Sequence, residues 1–485
     1  MKNQVQLITY VDRLSGEGLK SLQTLFDGEL KGVFGGVHLL PFFYPTDGID
    51  AGFDPIDHTQ VDSRIGSWKD IQSLSKVTNI MGDIIVNHIS AQSSQFLDYL
   101  KHGEKSAYSD LFLTVDKVFT KDVSEKELSK IYRPRPGLPF IDILLSDGSK
   151  KRLWTTFSSN QIDINVLSEV GKDYLNSILH QFYESGIKMI RLDAAGYAIK
   201  KAGTTCFMIP ETFDFIEWFR EKASAYGMEV LVEIHSYYKK QIEIAKQVDW
   251  VYDFALPPLV LHAIFNHTSE YLKNWLEISP RNAITVLDTH DGIGVIDVGG
   301  SEGKSGLLPE EDIDALVEQI HENSKGQSRQ ATGEAASNLD LYQVNCTYFD
   351  ALAQNENYYL LARAIQFFVP GVPQVYYTGL LAEPNDMELL AKTKVGRDIN
   401  RHYFSNGELD NAIKRPVVQK LLKLIKFRNS HPAFNGVFSL KSTSQKSLII
   451  NWKNGEEWTK FNVDFNNLSY TISFSHKGKE EDLVL

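Results

Sequence analysis

Eight short apolar runs spaced along the chain constrain its fold more than any other feature of the sequence. Each run is rich in aliphatic residues and is followed by a longer stretch with helical periodicity, which is typical of parallel strands connected by helices. Eight such units close into a (β/α)8 barrel. The sequence therefore predicts an α/β protein with a TIM-barrel core, and the predicted strands are 5–9, 37–40, 84–86, 189–192, 230–232, 251–254, 283–287 and 372–376.

Uneven spacing between the runs indicates two insertions, one after the third and one after the seventh predicted strand. The first carries a stretch rich in arginine and proline at 133–137, and the second a stretch rich in small residues at 326–338. After residue 433, short alternating strands predict a small C-terminal all-β domain. We expect the barrel to comprise 1–85, 167–291 and 356–432, with inserted domains at 86–166 and 292–355 and the β domain at 433–485.

Charge and cysteine content exclude several classes of protein. The net charge is −12, with 62 acidic and 50 scattered basic residues, which argues against a nucleic-acid partner. Cys206 and Cys346 are too few and too far apart for a disulfide framework or a zinc site. The longest apolar region, 358–377, is interrupted by polar residues, prolines and a glycine, and the N-terminus lacks a signal-peptide pattern. We therefore expect a cytoplasmic protein with no membrane partner.

Three acidic residues, Asp193, Glu233 and Asp291, directly follow separate predicted strands. The carboxyl ends of barrel strands form the active-site face of this fold, so these side chains are expected to converge. Breaking a glycosidic bond requires an acid for the departing oxygen and a group that stabilises the anomeric carbon, and two carboxylates supply both. A single acidic residue is usually solvated or ion-paired, so it is their shared position that predicts glycosidic chemistry.

The neighbours of these residues suggest a role for each. Arg191 leaves its strand on the same side as Asp193 and is expected to lower the pKa of that carboxyl, which suits a nucleophile. Glu233 follows three apolar residues, and partial burial raises a carboxyl pKa, which suits a general acid. Asp291, beside His290, is placed to hold sugar hydroxyls whose hydrogen bonds strengthen in the transition state.

The polar strand ends resemble the four short sequence regions of the α-amylase superfamily, and they occur in the same order. The four segments are 83–88 (DIIVNH), 191–193 (RLD), 233–235 (EIH) and 289–291 (THD). The resemblance implies that Asp193 is the nucleophile, Glu233 the acid/base and Asp291 the stabiliser of the transition state. It also implies that His88 and His290 bind the glucosyl unit.

Other segments are similar to the sucrose phosphorylases of that superfamily, over almost the whole chain before residue 433. These segments are 50–55 (DAGFDP), 132–139 (YRPRPGLP), 338–343 (NLDLYQ) and 396–402 (GRDINRH). The similarity implies reversible transfer of glucose by double displacement, with sucrose and inorganic phosphate as substrates, fructose and glucose 1-phosphate as products, and other acceptors as alternatives to phosphate. It also implies a homodimer and no cofactor.

The same resemblance assigns the remaining site residues. Asp50 and Arg397 would close the far end of the glucose pocket, which admits one terminal sugar and excludes a polymer, and Phe53 would be its apolar platform. Asp340 and Tyr342 would lie on loops whose movement favours fructose in one arrangement and phosphate in the other. Phosphate would bind to Arg135, His235 and Tyr342. The other substrate contacts implied are Phe157, Gln161, Arg191, Tyr197, His235, Asp340 and Gln343.

No metal is expected. Asn87 matches a position that binds calcium in many amylases, but the rest of an oxygen cage cannot be assembled from its sequence neighbours. Asn87 is therefore expected to make hydrogen bonds within its loop. The histidines lack the HExxH or paired Cys/His spacing of zinc sites.

Several alternatives stay open at this point. A phosphorylase for sucrose 6′-phosphate or glucosylglycerol is one, although a phosphorylated sugar needs an added cation where the neutral Tyr342 stands. A sucrose hydrolase of the same superfamily is another, and phosphate dependence distinguishes it. A catalytically inactive barrel that acts as a binding protein is a third, but such relatives usually lack one of the three carboxylates, which are all present here.

Overall fold

The computed structural model describes residues 1–48, 51–120, 123–135, 137–301, 303–332, 343–441 and 444–485, and the backbone of Asp50. The eight predicted barrel strands are confirmed: they form one closed parallel barrel in which each strand pairs with the next along the chain and the last pairs with the first. The strands are β1 Gln6–Thr9, β2 Gly36–Leu39, β3 Asn79–Ile85, β4 Met189–Asp193, β5 Glu229–Val232, β6 Trp250–Asp253, β7 Ala283–Thr285 and β8 Val372–Tyr376.

The barrel strands are covered on both faces, and this explains why they form continuous apolar runs in the sequence. Every residue of β1, β2 and β8 is buried. Strand β3 begins at Asn79, earlier than predicted. The sequence hid its first residues because the polar Asn79 and the small Gly82 interrupt the apolar pattern. At Gly82 a Cβ atom would lie 3.0 Å from the ring of Phe182, so any larger residue there would force this ring to shift.

Helices cover the outside of the barrel. The helix Glu169–Glu184 is typical: Ser168 caps its N-terminus by accepting a hydrogen bond from the Gly171 amide, and its apolar face is buried at helical spacing. The helices of eight residues or more are Leu19–Asp27, Trp68–Ser75, Ser94–His102, Glu169–Glu184, Pro210–Ala225, Tyr238–Ala245, Leu256–Phe265, Glu270–Ile278, Glu310–Asn323, Glu356–Phe368, Asn406–Ile413 and Pro416–Ser430.

Two insertions extend the loops that follow β3 and β7. The first contains two antiparallel strand pairs, His88–Ser90 with Gln161–Asp163 and Phe140–Leu144 with Lys150–Trp154. It has a small apolar core of its own, which includes Phe119 and Trp154. In the second insertion, Ile293–Gly294 pairs with Gln343–Val344. The domain boundaries given above stay predictions.

A five-stranded antiparallel sheet follows the barrel, as predicted for the end of the chain. Its strands are β9 Val437–Lys441, β10 Ser447–Asn454, β11 Glu457–Asp464, β12 Ser469–His476 and β13 Lys479–Asp482. Side chains alternate between buried and partly exposed along β10, so one face packs on the barrel. There Trp452 donates a 2.7 Å hydrogen bond to the carbonyl of Phe368, whose ring stacks on that of Phe461.

Two exclusions made from the sequence concern helices and cysteines. Among the described residues, no helix combines the length and the apolar character needed to cross a membrane. Cys206 and Cys346 are both buried, and neither is part of a disulfide. The fold is therefore stabilised by burial of its core and by hydrogen bonding, without a covalent link between these two residues.

Trp452 is the residue whose loss should weaken attachment of the C-terminal sheet most directly. We expect Trp452→Ala to lower the free energy of unfolding by about 3–5 kcal/mol, as truncation of a buried aromatic side chain does. Trp452→Phe keeps most of the packing but loses the hydrogen bond to Phe368, so its cost should be about 1 kcal/mol. Urea unfolding followed by circular dichroism measures both, and equal losses in the two variants would contradict this account.

Candidate active site

Polar residues from the ends of β3, β4 and β5 meet around the guanidinium of Arg191. Its Nη1 donates to Asp83 Oδ1 at 2.6 Å and to Asp193 Oδ1 at 3.0 Å. Its Nη2 lies 3.6 Å from Glu233 Oε1. The Arg191 side chain is only 3 % exposed, so carboxylates rather than water must neutralise its charge. Two of the three predicted catalytic carboxylates are thereby brought to one point.

Asp83 fixes the position of the Arg191 guanidinium from the buried interior of the barrel. It is fully buried, and its second oxygen lies 3.0 Å from Nε2 of His38. Burial alone raises the pKa of Asp83, but His38 and Arg191 outweigh it and lower the pKa to about 2. Asp83 is therefore ionised. The sequence placed it at the end of a strand but did not identify it as a site residue.

Asp193 and Glu233 share one largely buried environment, in which each side chain is 15 % exposed. Burial raises the pKa of Asp193 well above its ordinary value, Arg191 opposes this effect, and the carboxyl of Glu233 adds to it. Arg191 does lower the pKa of Asp193, as expected, but removing the carboxyl from water outweighs the cation, so the net shift is upward. When two carboxyl groups lie so close that both cannot easily be ionised at once, one can act as an acid and the other as a base.

Asp291 lies among cations, in contrast to Asp193. Its Oδ1 is 2.8 Å from Nη1 of Arg397 and 3.8 Å from Nη2 of Arg401. Burial alone raises the pKa of Asp291, but Arg397, His290 and Arg401 hold it well below its usual range. Arg401 also donates from Nε to the carbonyl of His290 at 2.9 Å, which fixes the backbone beside the carboxylate. Asp291 therefore stays ionised.

Phe53 and the two predicted sugar-binding histidines form an aromatic floor. The rings of Phe53 and His290 stack with centroids 4.7 Å apart and 11° between their planes. Burial lowers the pKa of His290 to about 3, so this ring is neutral and able to hydrogen-bond hydroxyl groups. Nε2 of His88 lies 3.0 Å from the carbonyl oxygen of Phe53 and, as a donor, holds the loop that carries the platform.

A wall of stacked and edge-on aromatic rings continues from this floor. Phe157 contacts His88 and Tyr197, at ring-centroid distances of 5.3 and 5.0 Å. Phe207 stands 4.7 Å from both Tyr197 and Tyr132. Sequence reasoning missed Phe207 because no motif surrounds it. It lies between two non-glycine residues with positive φ, and such a turn is not readable from the pattern of residue types.

Twelve of the predicted site residues line one cavity: Phe53, His88, Arg135, Phe157, Asp193, Tyr197, Glu233, His235, His290, Asp291, Gln343 and Arg397. Arg191 lies behind the carboxylates that it contacts. Gln161 does not line this cavity, because its side-chain oxygen accepts a 2.9 Å hydrogen bond from Ser158. The side chain of Asp50, and the whole of Asp340 and Tyr342, lie outside the described residues.

An ammonium group occupies the loop in which amylases can bind calcium. Nζ of Lys200 donates to Asn87 Oδ1 and lies against Asp163 Oδ2, each at 2.8 Å, and it also donates to the Tyr197 carbonyl. The hydrogen-bonding role predicted for Asn87 is confirmed, since its amide also donates to Asp163 at 3.2 Å. A dication placed among these oxygens would be repelled by the lysine.

Only one other group of side chains among the described residues has the spacing of a metal site. Ligand atoms of Glu233, His235 and Asp291 lie within 4.8 Å of one another. Burial lowers the pKa of His235, but Asp297, and after it Glu233 and Asp291, outweigh burial and raise this pKa to about 9. A protonated imidazole cannot coordinate a metal, and Arg191 and Arg397 already neutralise the two carboxylates.

Known proteins resemble this chain over nearly its whole length. The α-amylase catalytic-domain family matches residues 32–256. A sucrose phosphorylase from Agrobacterium vitis is 60 % identical over 98 % of both chains, and one from Bifidobacterium adolescentis is 55 % identical over 93 % of this chain and 90 % of its own. The crystal structure of a sucrose 6F-phosphate phosphorylase from Thermoanaerobacter thermosaccharolyticum aligns with a TM-score of 0.92 at 38 % identity, covering 100 % of this chain and 98 % of that one.

Lys200 should be important for stability, because it neutralises a buried carboxylate. The side chains of Lys200 and Asp163 are 2 % and 1 % exposed. We expect Lys200→Met to lower the free energy of unfolding by about 3–5 kcal/mol, since it leaves Asp163 buried without its cation. Lys201→Met is the matched control: that neighbour is 57 % exposed and should change stability by less than about 0.5 kcal/mol. Equal urea midpoints for the two variants would show that the buried pair is dispensable.

Proposed function

The chain belongs to the sucrose phosphorylase family of the α-amylase superfamily, and we propose that it converts sucrose and phosphate reversibly into α-D-glucose 1-phosphate and D-fructose. One observation carries this proposal: Asp193, Glu233 and Asp291 line a single cavity together with Arg135 and His235. The first three residues are the carboxylates of a retaining glycosidic site. The last two provide cations for the phosphate that must replace water.

In the first half of the reaction the glucosyl unit moves onto the protein. A carboxylate oxygen of Asp193 forms a bond to the anomeric carbon while the bond from that carbon to the fructosyl oxygen breaks. Glu233 gives its proton to this oxygen, and fructose leaves as a neutral sugar. Arg191 supports this division, because its 3.0 Å hydrogen bond to Asp193 opposes the burial that raises the pKa of that carboxyl, whereas its contact with Glu233 is longer, at 3.6 Å.

In the second half the glucosyl unit passes to phosphate. Glu233, now ionised, accepts a proton from the attacking phosphate as the new carbon–oxygen bond forms and the bond to Asp193 breaks. Each half inverts the anomeric carbon, so the product keeps the α configuration. Another acceptor hydroxyl can take the place of phosphate by the same step, which gives transglucosylation.

Asp291 stabilises the positive charge that develops on the sugar ring between these halves. Its pKa lies well below the usual range despite its burial, so it carries full charge at neutral pH. We propose that hydrogen bonds to the sugar hydroxyls from Asp291 and from neutral His290 strengthen as the ring flattens. Arg397 and the loop of Asp50 would close the end of the pocket, which limits the enzyme to one terminal glucose.

Phosphate competes with a large excess of water, so binding energy must favour it. Arg135 offers a planar group that can bind two phosphate oxygens, and His235 has a pKa of about 9 and is cationic at neutral pH. Tyr342 is a further phosphate contact proposed from the family resemblance alone. A homodimer and a cytoplasmic location are proposals with the same basis.

The alternatives differ in the leaving group or in the acceptor. A sucrose 6′-phosphate phosphorylase is less favoured, because the chain is 60 % identical to a sucrose phosphorylase and 38 % identical to the sucrose 6F-phosphate enzyme of known structure. A glucosylglycerol phosphorylase is less favoured for the same kind of reason, because the chain is 42 % identical to one from Marinobacter adhaerens. A sucrose hydrolase would need no phosphate site, whereas Arg135 and His235 both line the cavity.

Incubation with sucrose, with and without inorganic phosphate, tests the proposed function. We expect fructose release to depend on phosphate, with glucose 1-phosphate as the main glucosyl product and its α anomer seen by NMR, because double displacement retains configuration. Sucrose 6′-phosphate and glucosylglycerol serve as comparison substrates. Equal fructose release in the two incubations would identify a hydrolase, and a β anomer would exclude double displacement.

Asp193→Asn tests the nucleophile. The amide keeps the shape of the side chain but cannot form the covalent intermediate, so we expect kcat to fall at least about 10³-fold. Asp173→Asn is a control, because Asp173 is exposed on the helix Glu169–Glu184 and should keep wild-type rates. Initial rates at saturating sucrose provide the comparison, and a near wild-type rate for Asp193→Asn would refute the assignment.

A further inference from the structure

His235 is fixed in the cavity wall by a carboxylate outside the catalytic set. Its Nδ1 lies 2.9 Å from Oδ2 of Asp297, which is fully buried. The imidazole ring also stacks on Phe254, with centroids 3.9 Å apart and 15° between the planes. The stacking sets the plane of the ring and the carboxylate sets its rotation. Nε2 is consequently the nitrogen that faces Glu233, at 3.7 Å.

Asp297 is itself held rigidly by three further contacts. Its Oδ1 accepts hydrogen bonds from Gln241 Nε2 at 2.6 Å and from the Ser236 amide at 3.1 Å. Gly294 packs against the other oxygen, where a Cβ atom would lie only 2.7 Å from Oδ2. These contacts fix the orientation of the Asp297 carboxylate, so that Oδ2 faces His235 Nδ1.

The charges around His235 favour its protonated form. Burial lowers its pKa, but Asp297, Glu233 and Asp291 outweigh burial and raise the pKa to about 9. Arg135 and Arg397 line the same cavity and oppose protonation, and the carboxyl of Asp253 lies behind Asp297. With Asp297 accepting from Nδ1, the protonated ring presents Nε2–H to the cavity.

A second donor points to the same space. The side-chain oxygen of Gln343 accepts a 3.1 Å hydrogen bond from the Gly292 amide, so its NH2 group faces His235. The two nitrogens, Gln343 Nε2 and His235 Nε2, lie 3.4 Å apart. When His235 is protonated, both nitrogens carry N–H groups, and an acceptor oxygen that both can reach satisfies them. An anionic oxygen satisfies the charged donor best.

We propose that Asp297 is a positioning residue for phosphate: it holds His235 so that Nε2–H, together with the Gln343 amide, is directed at an oxygen of the attacking phosphate. This inference rests on the proposed function. Asp297 touches neither sugar nor phosphate and acts only through His235. Its effect falls mainly on the second half of the reaction, because water attacking the glucosyl-enzyme carries no negative charge for His235 to bind.

Asp297→Asn tests the role, because it removes the charge and keeps the shape of the side chain. We expect KM for phosphate to rise about tenfold or more, and the ratio of phosphorolysis to hydrolysis to fall, while KM for sucrose changes much less. The pKa of His235 should fall by about 1–3 units without its carboxylate partner. In the wild type we expect phosphate use to be retained below about pH 9 and lost as the pH rises through that value, because His235 then loses its proton. In the variant the loss should occur at correspondingly lower pH.

Gln241→Met is the matched control. It removes one hydrogen bond to Asp297 without changing the charge, so it should lower stability but leave the alkaline limb of the phosphate kcat/KM profile near its wild-type position. If Asp297 were only structural, the two variants would show similar losses of stability and no difference in this limb. If the alkaline limbs of the phosphate kcat/KM profiles of Asp297→Asn and Gln241→Met fell at the same pH, the proposal would therefore be overturned.

Direct NMR titration of the His235 ring separates this inference from the proposed function. We expect a high pKa in the wild-type protein, with Nδ1 protonated throughout, and a lower pKa in Asp297→Asn. An ordinary His235 pKa in the wild type rejects the positioning role even if the variant does not fold. If wild-type fructose release proves independent of phosphate, the proposed function fails, and the titration still reports whether Asp297 controls His235.

Discussion

The buried guanidinium of Arg191 is the interaction on which the candidate site depends. A cation with a side chain only 3 % exposed must be neutralised by the protein, and it contacts carboxylates from three neighbouring strand ends. Asp83 is the deepest and stays ionised, which keeps Arg191 in place. The other two, Asp193 and Glu233, remain close enough to each other for the proton of one to depend on the charge of the other. A parallel barrel makes this possible, because it turns every strand end toward the same face.

Electrostatic surroundings then shift the pKa values of chemically similar groups in opposite directions. Asp291 is kept ionised by arginines, whereas burial raises the pKa of Asp193. His290 is neutral because it is buried on Phe53, while His235 is protonated because carboxylates surround it. Separated pKa values of this kind are what acid–base and anion-binding chemistry require of a single site. The proposed sugar end and the proposed phosphate end of the cavity thus differ in the charge of their histidines as well as in position.

The two insertions supply side chains that line the cavity and that the barrel strands do not carry. Arg135 and Phe157 come from the first insertion and Gln343 from the second, and all three line the cavity above the strand ends. The first insertion is tied to the barrel loop through Lys200, whose ammonium group lies between Asn87 and Asp163. An internal cation in this position holds two loops together. Stability of the loop and shape of the proposed sugar pocket are therefore linked through Tyr197, whose carbonyl Lys200 also contacts.

The sequence by itself determined the eight barrel strands, the C-terminal sheet and the residues at the strand ends, because these features follow from local periodicity and from short motifs in a fixed order. Only the tertiary structure decided the direction of the Asp193 pKa shift, the turn of Gln161 toward Ser158 and the places of Phe207 and Asp297. Each of these depends on groups distant in the chain, such as the 62 residues that separate His235 from Asp297. A pattern of residue types records which face a side chain takes, but desolvation and hydrogen-bond partners are set only when the chain has folded.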